Sequence, residues 1–454
     1  MKVAFHTLGC KLNYAETSTI GQQFAKHEFK IVDFNQPSDV YVINTCSVTE
    51  RADRECRQII RRVRRNSPTA CIVVVGCYSQ LNPDEVASIE GVDLVLGSVE
   101  KLKIFDYVRD FSKRSTPQIF VSCIDDVLDA QPAYSADIGG RTRAFLKIQD
   151  GCDFNCSFCT IPLARGGSRS VSSDIVLQQA RHLVVQGYRE IVLTGVNVGD
   201  YGKKNGSNLF KLLKALEIIE GVERIRVSSI EPNLLTKEMI DHILRSERIC
   251  NHFHIPLQSG SDTVLKQMRR RYLSGEYYDL VEYIKATDPD ACIGADVIVG
   301  FPGETDGLFE ETYNFIHRLP ISYLHVFTYS ERSHTRAVEF SHQVEPKDRF
   351  KRNELLRSLG QIKKRKFYSS FIGKTMPVLF ESNVQNHRMS GLTKNYVRVE
   401  SESDIPLINE IHNVKIEGFR DNVCFGSLKT TYCEAEWDET LKKFNVLQSV
   451  RELS

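Results

Sequence analysis

The sequence predicts an α/β protein in three parts: an N-terminal doubly wound parallel-sheet domain, a central partial (β/α)6 barrel and a small C-terminal antiparallel β-barrel. Three observations carry this. Short β-type apolar runs alternate with helical stretches through the first part of the chain, and the alternation starts afresh after a loose segment at Asp110–Arg141. That pattern makes parallel sheets with helices on their faces. Beyond a long charged helix, strands follow one another with turns only. The 454 residues, 41% hydrophobic and 26% charged, suit about two to three globular domains and exclude a disordered or fibrous chain.

The N-terminal part, residues 1–112, reads KVAFHTL, DVYVINT, ACIVVVG and VDLVLGS as strands, with AETSTIGQQFAKHEF, RADRECRQIIRRVRR and NPDEVASIE as the helices between them. Cys10 follows the first strand, Cys46 ends the second and Cys77 ends the third. All three therefore gather at the carboxyl edge of one sheet, where open α/β folds bind ligands. Cys56, Cys71 and Cys123 lack this placement. Asp110–Arg141, with SKRSTPQ and LDAQPAYSADIGG, reads as a linker. The central part, residues 138–370, offers AFLKIQ, EIVLTGV, RIRVSSI, HFHIPLQ, ACIGADVIVGF and YLHVFTYS as strands, with helices such as SDIVLQQARHLVVQG between them. These are about six strand–helix units, roughly two short of the closed barrel. After PKDRFKRNELLRSLGQIKKRKFYSSFI, the runs MPVLFE, SGLTKNYVRVES, INEIHNVKIEGFRDN and CFGSLK make residues 371–436 a small β module of a kind used to bind nucleic acid.

The 13 cysteines need a chemical reason. Their odd number, and an N-terminus MKVAFHTLGC that does not read as a signal peptide, argue against a disulfide framework and for metal or redox chemistry in the cytoplasm. No run approaches the roughly 18 apolar residues of a membrane span. Lys and Arg (59) balance Asp and Glu (58), so an RNA partner has to be met by local patches rather than an overall basic field.

The segment DGCDFNCSFCTIPLARGGSRS sets Cys152, Cys156 and Cys159 in a C-x3-C-x2-C spacing directly after a strand. A structural zinc site wants a fourth Cys or His, which the segment does not supply. An iron–sulfur cluster on three thiolates instead keeps one iron open to a small molecule. A zinc knuckle completed by a distant residue and a metal-free loop are the alternatives. The segment resembles the radical S-adenosylmethionine superfamily. That resemblance implies a 4Fe-4S cluster on these cysteines, S-adenosylmethionine on its open iron, and cleavage of that molecule to a 5′-deoxyadenosyl radical. Other strand ends suit such a cofactor: Thr194 and Gly195 in TGVN, Ser229 and Glu231 in SSIEP, Gln258 in HIPLQSGSD and Val299 in VGFPGE. Each also suits ordinary turn and capping chemistry.

Cys10, Cys46 and Cys77 lie in LGCKLN, NTCSV and VGCYSQ, each at a strand-to-loop junction among small or polar neighbours. Three semi-buried thiols are the plain reading; a second three-cysteine cluster is the functional one. With CDFNCSFCTIPLARGGSRS, these motifs resemble the radical methylthiotransferases over essentially the whole chain, including a C-terminal module that resembles the RNA-binding TRAM domain. The resemblance implies an auxiliary 4Fe-4S cluster on Cys10, Cys46 and Cys77 that carries or donates sulfur. It also implies S-adenosylmethionine as both methyl donor and radical source, an electron donor such as flavodoxin or ferredoxin, a sulfur source, and a monomer acting on the tRNA anticodon stem-loop. TLGCKLN, with Lys11 and Asn13 after Cys10, resembles the branch acting on N6-threonylcarbamoyladenosine rather than the isopentenyladenosine or ribosomal-protein branches.

Candidate RNA contacts are Arg61 and Arg65 in the arginine-rich helix, Arg270, Lys364 and Tyr396, the cations for phosphates and the ring for an unpaired base. Solvated charge and core packing are their plain readings. In YSERSHTRA, His334 stands where the resembled family more often has glycine.

Overall fold

A computed structural model describes residues 1–47, 49–135, 142–385, 388–403 and 405–429. The N-terminal sheet consists of β1 (Lys2–Thr7), β2 (Lys30–Val32), β3 (Val40–Thr45), β4 (Cys71–Gly76), β5 (Leu94–Leu96) and β6 (Gln118–Phe120). They run in the order β2-β1-β3-β4-β5-β6, every pairing parallel. β3 and β4 are buried at every residue, as central strands covered on both faces must be. Alternation divides their side chains between two layers. Ile43, Ile72 and Val74 pack with Ile59, Ile60 and Val63 of the helix Glu50–Asn66, whereas Val42, Val73 and Val75 share a core with Ile20 and Phe24 of the helix Lys11–Lys26. Thr49 caps the arginine-rich helix by accepting the Ala52 N–H, with Glu50 and Asp53 in its first turn and Arg64 and Arg65 in its last, all in keeping with the helix dipole.

The expected linker is not all loop. QIF forms β6 because a short apolar run meets the open backbone edge of β5, and Ala133–Tyr134 (β7) pairs antiparallel with the first barrel strand. Residues 136–141 of that segment lie outside the described residues.

The parallel strands of the barrel are β8 (Arg143–Lys147), then, beyond the short β9 (Gln149–Asp150) and β10 (Arg169–Ser170), β11 (Glu190–Thr194), β12 (Arg224–Val227), β13 (His252–His254), β14 (Cys292–Val299) and β15 (Tyr323–Thr328). The ladders β12-β11-β8 and β13-β14-β15 are joined by parallel bridges Ile225–Ile249 and Ser229–His254. The six strands thus follow one another in chain order, which is the partial (β/α)6 barrel the sequence predicts. Their outward residues, among them Leu146, Leu193, Val227, Phe253 and Val297, form one core with the surrounding helices. Their inward residues are largely polar and meet across strands, as Arg226 with Glu190 and His254 with Asp296. β9 and β10 pair antiparallel and frame the loop that carries Cys152, Cys156 and Cys159.

The chain divides into two compact units: residues 1–367 with 394–396, and the remainder from 368 onward. Within the second, β16 (Thr375–Gln385), β17 (Arg388–Thr393), β18 (Arg398–Glu402), β19 (Ile411–Arg420) and β20 (Val423–Leu428) close a barrel in the order β16-β17-β18-β20-β19. All its pairings are antiparallel except β18 with β20. Val378, Phe380, Leu392, Val399, Val414 and Cys424 are buried in it. The expected module's residues 430–436 lie outside the described residues. Among the described residues no helix is long and apolar enough to cross a membrane.

Candidate active site

The strand-and-turn geometry of the central unit sets out its cysteines. Gly151, between β9 and Cys152, has φ +69°, and a Cβ there would lie 2.0 Å from the Gly167 carbonyl oxygen, so only glycine lets the cysteine loop fold back on the SRS turn. The Phe154 N–H points at the Cys152 sulfur at 3.4 Å and the Ile161 N–H at the Cys159 sulfur at 3.5 Å. Arg270 donates from Nη1 to the Cys156 sulfur at 3.1 Å. Burial pushes the Cys152 thiol up to about 11 and the Cys159 thiol up to about 12. Cys156 is raised as well, with Arg270 opposing the shift. Buried thiols that need a cation to ionise are suited to a metal cluster, whose charge makes them thiolates.

The strand ends around this loop carry unspent polarity. Thr194 Oγ1, both side-chain polar atoms of Asn197, Ser228 Oγ and Gln258 Oε1 are buried without a hydrogen-bond partner. Gly195 sits against Gln149, whose Oε1 accepts the N–H groups of Val196 and Asn197 at 2.9 and 2.8 Å. Gln258 adopts φ +64°, which turns the chain beside β14, and Val299 ends that strand. Ser229 Oγ is 2.5 Å from His254 Nδ1, and Glu231 pairs with Arg270. Orphaned donors and acceptors at a sheet's carboxyl edge fit a polar cofactor such as S-adenosylmethionine.

The three N-terminal cysteines stand at the ends of neighbouring strands. Cys10 is exposed and caps the helix Lys11–Lys26; Cys46 follows β3 and Cys77 follows β4, both buried. Gly9, at φ +99°, packs so closely on Cys46 that a Cβ would come within 2.6 Å of its Cβ. Asn13 staples these loops, donating to the Leu8 and Thr45 carbonyls at 2.8 and 3.0 Å, while Thr45 donates to the Val75 carbonyl at 2.7 Å.

A contact joins the chain beside Cys46 to the chain beside Cys159. Thr160, next to Cys159, approaches the carbonyl of Ser47, next to Cys46, at 3.5 Å. Arg332, from the loop after β15, donates to Ser47 Oγ at 2.6 Å and pairs with Asp53 at 2.7 Å. Behind them lies a buried ionic network that sequence reasoning missed. Glu16 pairs with Lys101 at 2.6 Å, Lys147 at 2.8 Å and Arg165 at 3.0 Å. Arg165 also reaches Asp150 at 2.9 Å and Asn13 Oδ1 at 2.7 Å. Burial alone would raise the Glu16 carboxyl, but Arg165, Lys101 and Lys147 hold it well below the usual range. Its one signal in the sequence is a glutamate among Leu12, Ala15 and Ile20 on the buried face of a helix.

Inside the barrel, Asp296 joins His254 at 3.1 Å and His325 at 3.2 Å, a group whose ligand atoms lie within 4.8 Å of one another. Rings stack from Tyr396 onto His252, 4.4 Å between centroids, and on toward Tyr323.

The candidate RNA residues fall in different settings. Arg61 and Arg65 are exposed on their helix and line one groove with His6 and Glu55. Lys364 is half-buried on the long helix Pro346–Ser369. Arg270 is not a surface group: its side chain is 4% exposed and engaged by Cys156 and Glu231, so the expectation of a phosphate contact there gives way to a place in the cysteine site. Tyr396 is half-buried against His252. His334 takes the left-handed conformation, φ +66°, that glycine would adopt more easily.

Residues 2–97 match the uncharacterized protein family UPF0004, and residues 146–316 match the radical SAM superfamily. The fold is similar to that of the radical S-adenosylmethionine methyltransferase TsrM from Kitasatospora setae, solved with cobalamin and a [4Fe-4S] cluster, at TM-score 0.52 and 13% identity over 74% of this chain and 77% of that one. Fold and site together define a radical S-adenosylmethionine enzyme. The threonylcarbamoyladenosine tRNA methylthiotransferases MtaB of Bacillus subtilis and Aquifex aeolicus are 42% and 39% identical to this chain, covering 91% and 88% of it and 93% and 97% of their own lengths. The tRNA-2-methylthio-N(6)-dimethylallyladenosine synthase of Acetivibrio thermocellus is 32% identical over 90% of this chain and 87% of its own. The chain belongs to the radical S-adenosylmethionine tRNA methylthiotransferase family.

Proposed function

We propose that this enzyme transfers a methylthio group to carbon 2 of N6-threonylcarbamoyladenosine at position 37 of tRNA, in the cytoplasm, as a monomer. The observation that carries the substrate is the 42% identity to a relative named for it, against 32% to one named for the dimethylallyl nucleoside. Cys152, Cys156 and Cys159 would hold the 4Fe-4S cluster that binds S-adenosylmethionine, with Thr194, Gly195, Ser229, Glu231, Gln258 and Val299 around the cofactor. Cys10, Cys46 and Cys77 would hold the auxiliary 4Fe-4S cluster. When bound, these groups supply a 5′-deoxyadenosyl radical and a sulfur to deliver, which acid–base side chains alone cannot do at a purine C–H bond.

The chain's own residues do the positioning. Arg270 keeps a positive charge against Cys156, and Glu231 fixes its guanidinium. The contacts of Ser47 with Thr160 and Arg332 tie the chain beside Cys46 to the chain beside Cys159, which supports a radical source and a sulfur store serving one substrate. Arg61, Arg65 and Lys364 are the phosphate contacts of this reading. An electron donor such as flavodoxin or ferredoxin and a sulfur source complete the system.

The test is a nucleoside digest of tRNA from a strain lacking the protein. Loss of the 2-methylthio form of threonylcarbamoyladenosine, with the unthiolated nucleoside accumulating, is the expected result. An unchanged level overturns the substrate, and loss of methylthiolated isopentenyladenosine instead would reassign it.

A further inference from the structure

Asp296 and His325 are register partners on β14 and β15, so their side chains leave the same face of the sheet, and His254 ends β13, the strand on the other side of β14. Asp296 Oδ1 lies 3.1 Å from His254 Nε2 and 3.2 Å from His325 Nδ1, and the ligand atoms all fall within 4.8 Å of one another. Two imidazoles and a carboxylate are a donor set suited to a transition metal. Ligand atoms about 2.0–2.1 Å from a tetrahedral ion stand about 3.3 Å apart. Two edges of the group already have nearly that length. The third, between the imidazoles, shortens by rotation of the exposed His325 ring.

The other ring nitrogen of His254 has its own partner. Ser229 Oγ stands 2.5 Å from His254 Nδ1, and Ser229 and His254 are also joined by a parallel backbone bridge. By accepting the Nδ1 proton, the serine fixes the tautomer that leaves the Nε2 lone pair aimed at Asp296 and His325, the outer-partner arrangement of metal-binding histidines. We infer that His254, Asp296 and His325 bind one divalent transition ion of the zinc class inside the barrel. Three protein ligands leave a fourth position open, and the exposure of His325 gives that position access to water. The charge of the ion outweighs the single carboxylate, so this stretch of the barrel wall becomes cationic and takes an oxygen donor. The inference does not rest on the substrate reading.

The experiment incubates the reconstituted, iron-replete protein anaerobically with Zn2+ and dialyses it. Elemental analysis should find about one zinc per chain retained beside unchanged iron, and X-ray absorption at the zinc edge should show nitrogen and oxygen neighbours at about 2.0–2.2 Å without the sulfur shell at about 2.3 Å that zinc on cysteines gives. Asp296→Asn and His325→Gln should each weaken zinc binding by about tenfold or more with iron content kept. Because a change at the partly buried Asp296 also disturbs its strand, the exposed His325 is the deciding position. Loss of zinc from the wild type on dialysis, a sulfur shell around the retained zinc, or equal affinity in the wild type and His325→Gln overturns the proposal.

Discussion

The guanidinium of Arg270 spans Cys156 and Glu231: one arm donates to the Cys156 sulfur at 3.1 Å while the other is held by the carboxylate. Burial raises the Glu231 carboxyl, and the arginine opposes that shift. Hydrogen bonds to cluster sulfurs tune reduction potential, and a cationic donor favours the more negative, reduced state. Arg270→Lys keeps a charge for Glu231 and loses the fork that reaches both partners. The midpoint potential of the cluster proposed for Cys152, Cys156 and Cys159 should fall by roughly 40 mV, about 1 kcal/mol for one electron. A redox titration followed by electron paramagnetic resonance measures it, and an unchanged midpoint would show that the contact does not bear on the cluster.

The same residue shows what sequence reading can and cannot reach. Arg269, Arg270 and Arg271 look alike as a basic run, and only tertiary packing separates Arg270, turned inward, from the exposed Arg269. The alternation of strand-type runs with helical stretches was enough to draw the N-terminal sheet and the six-stranded barrel, because that order of elements makes parallel sheets with helices on their faces. It missed β2 and β6, which are three residues each and owe their pairing to a neighbouring edge. Cys10, Cys46 and Cys77 could be placed together from sequence because parallel strands end on one side. That the chain beside Cys46 meets the chain beside Cys159 could not, since Ser47–Thr160 joins residues 113 apart in sequence with no periodicity to betray it.

Gly9 offers a way to disturb one cysteine group and leave the other alone. Its φ of +99° is strained for any side chain, and a Cβ would lie 2.6 Å from Cys46 Cβ and 3.0 Å from its sulfur. Gly9→Ala should therefore displace Cys10 from Cys46. Iron analysis should show about four irons per chain in place of about eight, with reductive cleavage of S-adenosylmethionine retained. About eight irons in Gly9→Ala would mean that the proposed auxiliary cluster is not seated on this turn.

Glu16 makes the stability of the cysteine-bearing layers depend on acid. Its carboxyl lies well below its ordinary 4.5, and Asp150 lies below its ordinary 3.8, because Arg165 and Lys147, joined at Glu16 by Lys101, outweigh the burial that would raise both. For depressed carboxyls the sign is fixed: the stabilisation is fully present above the ordinary values and drains away as pH falls, because the unfolded chain takes up protons first. The urea midpoint of the metal-free protein should therefore be flat from about pH 7 to pH 5 and fall steeply below about pH 4.5. Glu16→Gln should be less stable by about 3–5 kcal/mol at pH 7, since it strands buried cations, and should lose part of the acid dependence. The two effects must appear together. A variant equal in stability to the wild type, or with the same acid slope, would show that the cations find their compensation elsewhere and that Glu16 is not what joins the N-terminal sheet to the barrel.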